Sequence, residues 1–228
     1  MPKVVFDIET LGQDFQLLDE SFQEYFLKFA DTDEKQKDAK NSLSFYPLTA
    51  QIITIGMVPV ESDQGFVYFQ NDNQVPENFT EGPATFVSGN EKEILTHFWN
   101  QMKNCEQFIT FNGRTFDCPF LMIRSAIHNI RPTKNLMPYR YNPSFHVDLA
   151  DQLSFYDAMK RKFSLHMWCK AFGIKSPKEG GQAQPAMTGL QVKDFYQEGR
   201  YREIARYCLG DVQATKELYQ RWEQYLRI

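Results

Sequence analysis

The sequence predicts an α/β fold in which a mixed β-sheet is covered by helices. Three observations predict it: a run of β-forming residues stands near the start of the chain, a hairpin follows, and helical and strand patterns then alternate. The alternation indicates crossover connections and parallel pairing, whereas the hairpin pairs its strands antiparallel. At 228 residues the chain suits one α/β domain that spans residues 1–228 and carries insertions.

The first half of the chain contains the first strand and the hairpin. Residues 3–8 form the first strand, and residues 52–60 and 66–70 form two more, joined by a polar turn that ends in glycine. Between the first two strands, apolar residues recur at helical spacing before a charged stretch, which predicts an amphipathic helix followed by a solvated loop. The apolar residues are Phe15, Leu18, Phe22, Phe26 and Phe29. This helical insertion occupies about residues 14–46.

The second half of the chain alternates helices and strands. A helix over residues 91–103 leads into a strand over 107–112, which implies a crossover and a parallel pairing. The next helix begins at about Pro119, since proline suits a first helical turn. A strand is expected around residues 146–153.

The last part of the chain is mostly helical. A short helix begins after Ser164, a plausible N-cap, and ends at Gly173. The composition of residues 175–189 predicts a loop. A final long helix covers about residues 201–226, because apolar residues recur on one of its faces.

Composition excludes several classes of protein. The chain is 42% hydrophobic, enough for a dense core, but it has no apolar run that could cross a bilayer. Its four cysteines include no C-x-x-C pair, so neither a disulfide framework nor a zinc knuckle is expected. The net charge of −4 lacks the signature of a tight, sequence-independent nucleic-acid binder. We expect a soluble, cytoplasmic protein without membrane association, and no particular protein partner is indicated.

Acidic residues lie at the end of the first strand and recur at two later places. Asp7 and Glu9 are two residues apart on a strand, so their side chains project from the same face. Asp117 follows a later strand after a short turn that contains glycine. Tyr207 and Asp211 are four apart on the last helix and share one of its faces. Taken alone, these features have ordinary interpretations as a solvated pair, a helix cap and an amphipathic helix.

Taken together, the three features resemble the motifs of a known superfamily. D-x-E on the first strand, N-x-x-x-F-D at a strand-to-helix junction and Y-x-x-x-D near the C-terminus resemble the DEDD superfamily of 3′-to-5′ exonucleases. The resemblance is closest to predicted bacterial exonucleases similar to the proofreading domain of family B DNA polymerases. A tyrosine at 207, with Arg206 where the other branch has histidine, indicates the tyrosine branch. The resemblance implies a ribonuclease H-like (RNase H-like) fold with a mixed five-stranded sheet flanked by helices.

The resemblance also implies the roles of the acids. Asp7, Glu9, Asp117 and Asp211 would be ligands of two divalent metal ions, Mg²⁺ or Mn²⁺, because carboxylate oxygens suit such hard cations. Two ions about 3.5 to 4 Å apart stabilise both the attacking and the leaving oxygen of a phosphoryl displacement. Tyr207 would orient the attacking water. With an ordinary pKa of about 10, tyrosine is a better positioner than a base at neutral pH.

Residues beside the acids are candidates for holding the substrate. The resemblance implies that Thr10 and Leu11, directly after the first acids, lie against the terminal nucleotide. Asn112 and Phe116 precede the third acid and are candidates for holding the strand or stacking on a base. Three of the four also have an ordinary interpretation, since Leu11 and Phe116 fit a core and Asn112 fits a turn.

Some basic and buried residues have weaker claims to a role. The basic cluster at residues 160–162, or Lys175 and Lys178, could contact phosphates, although a charge run is usually a solvated surface. His146 lacks a second histidine at metal spacing and fits a core position. Asp148 is the additional acid most suited to supporting the metal ligands.

The function predicted is that of a metal-dependent 3′-to-5′ exonuclease acting on the 3′ end of single-stranded nucleic acid, with DNA favoured over RNA. An alternative is a catalytically inactive RNase H-like module that binds nucleic acid or a partner protein through residues 14–46. The complete set of acids speaks against the alternative, because a binding module has no need of a cluster of like charges. The negative net charge predicts low processivity.

Overall fold

A seven-stranded mixed sheet with helices on both faces forms the centre of the molecule. The computed structural model describes residues 2–72, 76–176 and 189–227. The strands are β1 (Lys3–Gly12), β2 (Ala50–Pro59), β3 (Gly65–Phe69), β4 (Asn78–Glu81), β5 (Ala84–Ser88), β6 (Gln107–Thr110) and β7 (His146–Asp148). The mixed α/β architecture is confirmed, with seven strands in place of the expected five.

The helices include the four that the sequence predicts after residue 90. They are α1 (Glu20–Leu27), α2 (Asp33–Asn41), α3 (Glu91–Met102), α4 (Asp117–Ile127), α5 (Leu149–Leu153), α6 (Leu165–Phe172), α7 (Val192–Gln197) and α8 (Tyr201–Tyr225). Gly173 ends α6 in the left-handed conformation with φ 67°, as a glycine after a helix commonly does. Ser164 precedes α6, but its side chain makes no capping hydrogen bond.

The strand order is β4-β5-β3-β2-β1-β6-β7. β2 pairs antiparallel with both β1 and β3, which confirms the hairpin. β6 pairs parallel with β1 and with β7, because α3 and α4 return the chain across the sheet before each new strand. The carboxyl ends of β1, β6 and β7 therefore lie at one edge of the sheet.

Two hydrophobic cores fill the space on either side of the sheet. One lies beneath α6, α7 and α8 and includes Val5 from β1 and Trp222 from α8. The other lies beneath α3 and α4, where Phe6 packs edge to face on Phe98 with ring centroids 5.2 Å apart. Alternate residues of β1 thus enter opposite cores, as the pleat of a strand requires.

The insertion after β1 folds into two short helices, not into one amphipathic helix and a loop. α1 buries none of its side chains, and Phe29, beyond its end, is 82% exposed. The charged stretch expected to be a loop forms α2. There the Thr32 hydroxyl accepts from the Lys35 N–H, and Lys35 pairs with Asp31 one turn earlier. Capping and local charge pairing favour this helix without an apolar period.

Three further elements differ from the sequence prediction. The strand expected over residues 146–153 ends at Asp148, because its side chain accepts from the Ala150 N–H and starts α5. β4 and β5 extend the sheet beyond β3, and α7 precedes the last helix. Most of the loop expected over residues 175–189 lies outside the described residues. Within the described part of the chain, every helix is too short or too polar to traverse a bilayer.

Candidate active site

The middle of β1 carries Asp7 and Glu9 on the face covered by α8. Val5 lies on that face in the same core as α8, whereas Phe6 and Ile8 point into the opposite core. Glu9 is only 8% exposed and Asp7 is half-buried. The strand therefore places two carboxylates side by side in a largely enclosed space.

The pairing of β1 with β2 becomes irregular directly after these acids. The register shifts between Glu9 and Thr10, which leaves one residue of β2 unpaired. Beside the shift, the Ile52 N–H donates to the buried carboxylate of Glu91 at 2.8 Å, and Arg124 binds the same carboxylate at 2.6 Å. The register shift has the form of a β-bulge, which increases the local twist of the strands. The buried ion pair of Glu91 and Arg124 therefore holds β2 at the bulge.

Asp117 reaches the acids of β1 because β6 is short. β6 pairs with only three residues of β1, so the backbone of β1 beyond them is open on that side. The Ile8 N–H in this open stretch donates to Asp117 Oδ1 at 3.0 Å. The turn that delivers Asp117 contains Asn112 at φ 62° and Gly113, where a Cβ would lie 2.5 Å from the Thr110 side chain. Only glycine fits at that position.

Asp148 holds this turn in place. Its carboxylate accepts from the backbone N–H groups of Asn112 and Arg114, both at 2.8 Å, as well as from Ala150. Asp148 is therefore a positioning residue for the turn that leads to the third acid. His146, two residues earlier, is buried in the core as expected, and burial lowers its pKa to about 3, so its ring is neutral.

α8 passes close to the sheet at Gly56 and brings two more groups to the acids. A Cβ at Gly56 would lie 3.1 Å from Cys208 Sγ, so the glycine allows the close approach of α8 to β2. Gly56 is also the residue of β2 opposite Asp7. One helical turn apart on α8, the Tyr207 hydroxyl donates to the Asp211 carboxylate.

The electrostatics of the cluster reflect this convergence. Burial, followed by the charges of Asp117, Asp211 and Glu9, raises the pKa of Asp7 well above its usual range. Burial raises the pKa of Asp117 to about 7, although its backbone hydrogen bonds, one of them from Ile8, lower it. Burial and the neighbouring carboxylates also raise the pKa of Tyr207, which keeps its hydroxyl protonated. The structure therefore brings the five predicted residues together from three separate elements, close enough for their charges to interact.

Comparison with models of protein families gives a match over most of the chain. A family model described as a predicted 3′-5′ exonuclease related to the exonuclease domain of PolB matches residues 44–227. The chain belongs to this family. The matched region contains Asp117, Tyr207 and Asp211, while Asp7 and Glu9 precede it. Exonucleases of this kind generally depend on divalent metal ions.

The fold of this PolB-exonuclease relative is similar to that of a family B DNA polymerase from the hyperthermophilic archaeon Pyrobaculum calidifontis. The TM-score is 0.60 at 16% sequence identity, and the alignment covers 97% of this chain and 24% of the polymerase. The likeness confirms the predicted RNase H-like fold. The chain thus spans about a quarter of the length of that polymerase. No sequence among the curated proteins matches the chain.

Cys208 also belongs to this cluster, although the sequence pattern indicated no role for it at the site. Its Sγ and single carboxylate oxygens of Asp7 and Glu9 lie within 4.8 Å of one another, and the thiol also contacts the Asp7 carbonyl oxygen at 3.5 Å. Burial, then the nearby carboxylates, raises the pKa of Cys208, so the sulfur stays a neutral thiol. Its position next to Tyr207, three residues before Asp211, was the available signal in the sequence.

The residues predicted to hold substrate lie around the acids in different environments. Thr10 Oγ1 donates to the Ser44 carbonyl oxygen at 2.7 Å, which ties the strand end to the insertion. Leu11 is partly buried against the core beneath α8. Asn112 is exposed, whereas Phe116 is half-buried and packs on Phe120 with ring centroids 5.1 Å apart.

Among the described residues, the basic side chains predicted as phosphate contacts make no contact with the four acids of the site. The side chains at residues 160–162 are exposed, and Lys162 lies 3.8 Å from the Asp157 carboxylate. Lys175 is exposed, and Lys178 lies outside the described residues. A solvated surface is therefore the simpler interpretation of residues 160–162.

Without metal ions, the stability of this PolB-exonuclease relative is expected to fall between pH 4 and pH 7 through Asp117. Its pKa of about 7, raised from 3.8, means that the folded state keeps a proton in this range that the unfolded state has released. The contribution is therefore full below the unfolded pKa and is lost as the pH rises through the folded one.

This dependence can be measured as the difference in Tm between the wild type and Asp117→Asn in EDTA from pH 4 to pH 8. An asparagine can still accept from the Ile8 N–H, so the difference isolates the titration. Asp38→Asn, on the exposed surface of α2, is the matched control and should follow the wild type. Parallel curves for wild type and Asp117→Asn would rule out the raised pKa.

Proposed function

We propose that the chain forms a single RNase H-like domain, residues 1–228, that hydrolyses single-stranded nucleic acid from its 3′ end with the help of divalent cations. The observation that carries the proposal is the convergence of four carboxylates from β1, α4 and α8, in a chain that belongs to a family of predicted 3′-5′ exonucleases. DNA is the favoured substrate and RNA the second.

The donor set fits divalent cations. Asp7, Glu9, Asp117 and Asp211 offer carboxylate oxygens, the ligands that Mg²⁺ and Mn²⁺ prefer. The carboxylates raise the pKa of Asp7 by repulsion, and a bound cation would relieve that repulsion. Bound ions would supply a Lewis acid for the phosphodiester and for the attacking water. The neutral thiol of Cys208 is a poor ligand for such hard ions and is assigned a packing role.

Tyr207 is assigned to positioning. Its hydroxyl is held by Asp211 and stays protonated because burial and the surrounding carboxylates raise its pKa. A protonated hydroxyl can donate to or accept from a water molecule but does not act as a base. Tyr207 therefore orients the attacking water beside Asp211.

The neighbouring residues would hold the 3′ end of the strand. Thr10 and Leu11 continue β1 directly from the acids, so a terminal nucleotide bound at the carboxylates would lie against them. Asn112 is exposed at the turn before Asp117 and can reach a sugar or phosphate oxygen. Phe116 offers part of its ring to a base, since it is only half-buried.

Tyr207→Phe is expected to lower the rate of hydrolysis about a hundredfold, the scale of a group that orients a proton-transferring water. The loss should be the same at every pH between 6 and 9, because the wild-type hydroxyl does not titrate in that range. The measurement is a pH profile of kcat on a 5′-labelled oligonucleotide.

Tyr225→Phe is the matched control, since this tyrosine lies at the exposed end of the same helix. It should show the wild-type rate. A loss in Tyr207→Phe confined to high pH would instead point to a phenolate base and contradict the positioning role.

The proposed function is tested with one panel of 5′-labelled substrates. Single-stranded DNA, duplex DNA and RNA are each incubated with Mg²⁺, Mn²⁺ or EDTA. We expect single-stranded DNA to be shortened stepwise from its 3′ end, and only with metal. Internal cleavage, or release of the labelled 5′ nucleotide first, would contradict the proposal. No turnover, together with no Mn²⁺ binding by calorimetry, would favour the inactive binding module.

A further inference from the structure

A cleft of about 300 Å³ opens beside the acidic end of β1. Its walls come from three parts of the chain: the end of β1, the end of α2 with the turn that follows it, and the start of α7. Thr10 and Leu11 form the wall nearest to the acids, because they directly follow Glu9. The cleft therefore continues the candidate active site in the direction of the insertion.

The cleft carries two lysines from different elements. Lys40, near the end of α2, has its Nζ 5.2 Å from the centre of the Phe15 ring, a contact that holds its stem against the insertion. Lys193, on α7, is exposed. Among the described residues, neither lysine forms an ion pair, and Asp194 is the one acid in the wall of the cleft. The described residues that line the cleft thus carry a net positive charge, in a chain of net charge −4.

An aromatic ring completes the wall. Phe45 follows α2 and is 55% exposed at the cleft. Its ring lies 6.4 Å, edge to face, from that of Phe116, the residue before Asp117. The two rings connect the cleft with the turn that carries the third acid. An exposed ring beside lysines is the combination by which grooves bind single-stranded nucleic acid, with stacking on bases and charge on phosphates.

We propose that this cleft binds the nucleotides that precede the 3′ end of a single strand. Lys40 and Lys193 contact phosphates, and Phe45 stacks on a base. The proposal rests on the proposed exonuclease function, since the strand must continue from the carboxylates past Thr10 and Leu11. Lys40 belongs to the part of the chain before residue 44, outside the matched family region. The helical insertion therefore supplies substrate contacts of its own.

The test uses Lys40→Gln, Lys193→Gln and the double variant of the full chain. The substrates are a 5′-labelled thymidine oligomer and the p-nitrophenyl ester of thymidine 5′-phosphate, which can occupy only the carboxylates and their immediate surroundings. For the oligomer, each variant should raise KM about threefold to tenfold and leave kcat unchanged. The slope of log(kcat/KM) against log salt should become shallower by about 0.7 for each lysine removed. The ester should be hydrolysed at the wild-type rate.

Lys37→Gln is the matched control, because this exposed lysine lies one turn before Lys40 on α2 and is not among the residues that line the cleft. It should keep the wild-type KM and salt slope. Wild-type KM and salt slope in the double variant would overturn the cleft proposal and leave the exonuclease function intact.

A wild-type chain that hydrolyses neither substrate would instead refute the proposed function. The cleft is still tested in that case by fluorescence anisotropy of a labelled thymidine oligomer in EDTA. Weaker binding in the double variant than in Lys37→Gln supports the cleft, and equal binding overturns it.

Discussion

Asp7→Asn is expected to lower the rate of exonucleolytic hydrolysis by about a thousandfold and to raise the Tm of the metal-free protein at pH 8. Asp7 lies at the centre of the cluster, because the charges of the other three carboxylates all raise its pKa. Its loss should therefore weaken the binding of the catalytic cations and lower the rate. Their contribution to the transition state is several kcal/mol, and about 4 kcal/mol corresponds to a thousandfold.

The expected gain in stability has a separate cause. Burial and the neighbouring carboxylates raise the pKa of Asp7, so keeping it ionised at pH 8 opposes folding. Asparagine has the same shape without the charge. The rate is measured on 5′-labelled single-stranded DNA and the Tm in EDTA. Asp38→Asn, an exposed acid on α2, should change neither value. An Asp7→Asn variant that keeps its activity would remove Asp7 from the mechanism.

Removal of metal ions is expected to abolish hydrolysis, and Mn²⁺ or Mg²⁺ should restore it. The same ions should raise the Tm, since a ligand at a hundredfold excess over its Kd stabilises a folded protein by about 2.7 kcal/mol. The rise should grow from pH 6 to pH 8, because a cation must displace the proton that Asp117 holds below about pH 7. Thermal unfolding with and without metal measures this directly.

Asp211→Asn provides the comparison for this measurement. It should reduce the metal-induced rise in Tm, because it removes a proposed metal ligand, a carboxylate whose charge raises the pKa of Asp7. Hydrolysis that persists in EDTA at the wild-type rate would contradict a metal-dependent mechanism. An equal rise in Tm for wild type and Asp211→Asn would place the metal elsewhere.

The elements around the site could be predicted because their signals are local. The i, i+2 spacing of Asp7 and Glu9 fixes a common face once the segment is a strand, and the four-residue spacing of Tyr207 and Asp211 does the same on a helix. The order of strand, hairpin and crossover helices also follows from the periodicity of apolar residues. These rules place side chains on faces, and the resemblance to known motifs joined the faces into one site.

Other features could not be predicted, because they depend on contacts outside the local pattern. β4 is short, and most of its side chains are exposed, so it lacks the alternation of a half-buried strand. α2 has no apolar period and depends on capping and charge pairing. The role of Asp148 rests on backbone N–H groups of Asn112 and Arg114, more than thirty residues away in sequence. The cleft at Lys40 and Lys193 likewise needs the fold to bring two distant lysines together.

The separation of the acids along the chain also has a consequence for folding kinetics. The hydrogen bond from Ile8 to Asp117 joins residues 109 apart, and the contact from Cys208 to Asp7 joins residues 201 apart. Contacts between such distant residues are slow to form, because the loops between them must first close. During synthesis, β1 leaves the ribosome long before α8 exists. The roles proposed for Tyr207 and Asp211 require α8 to dock on the sheet before hydrolysis begins, which would make the onset of hydrolysis a probe of this long-range step of folding.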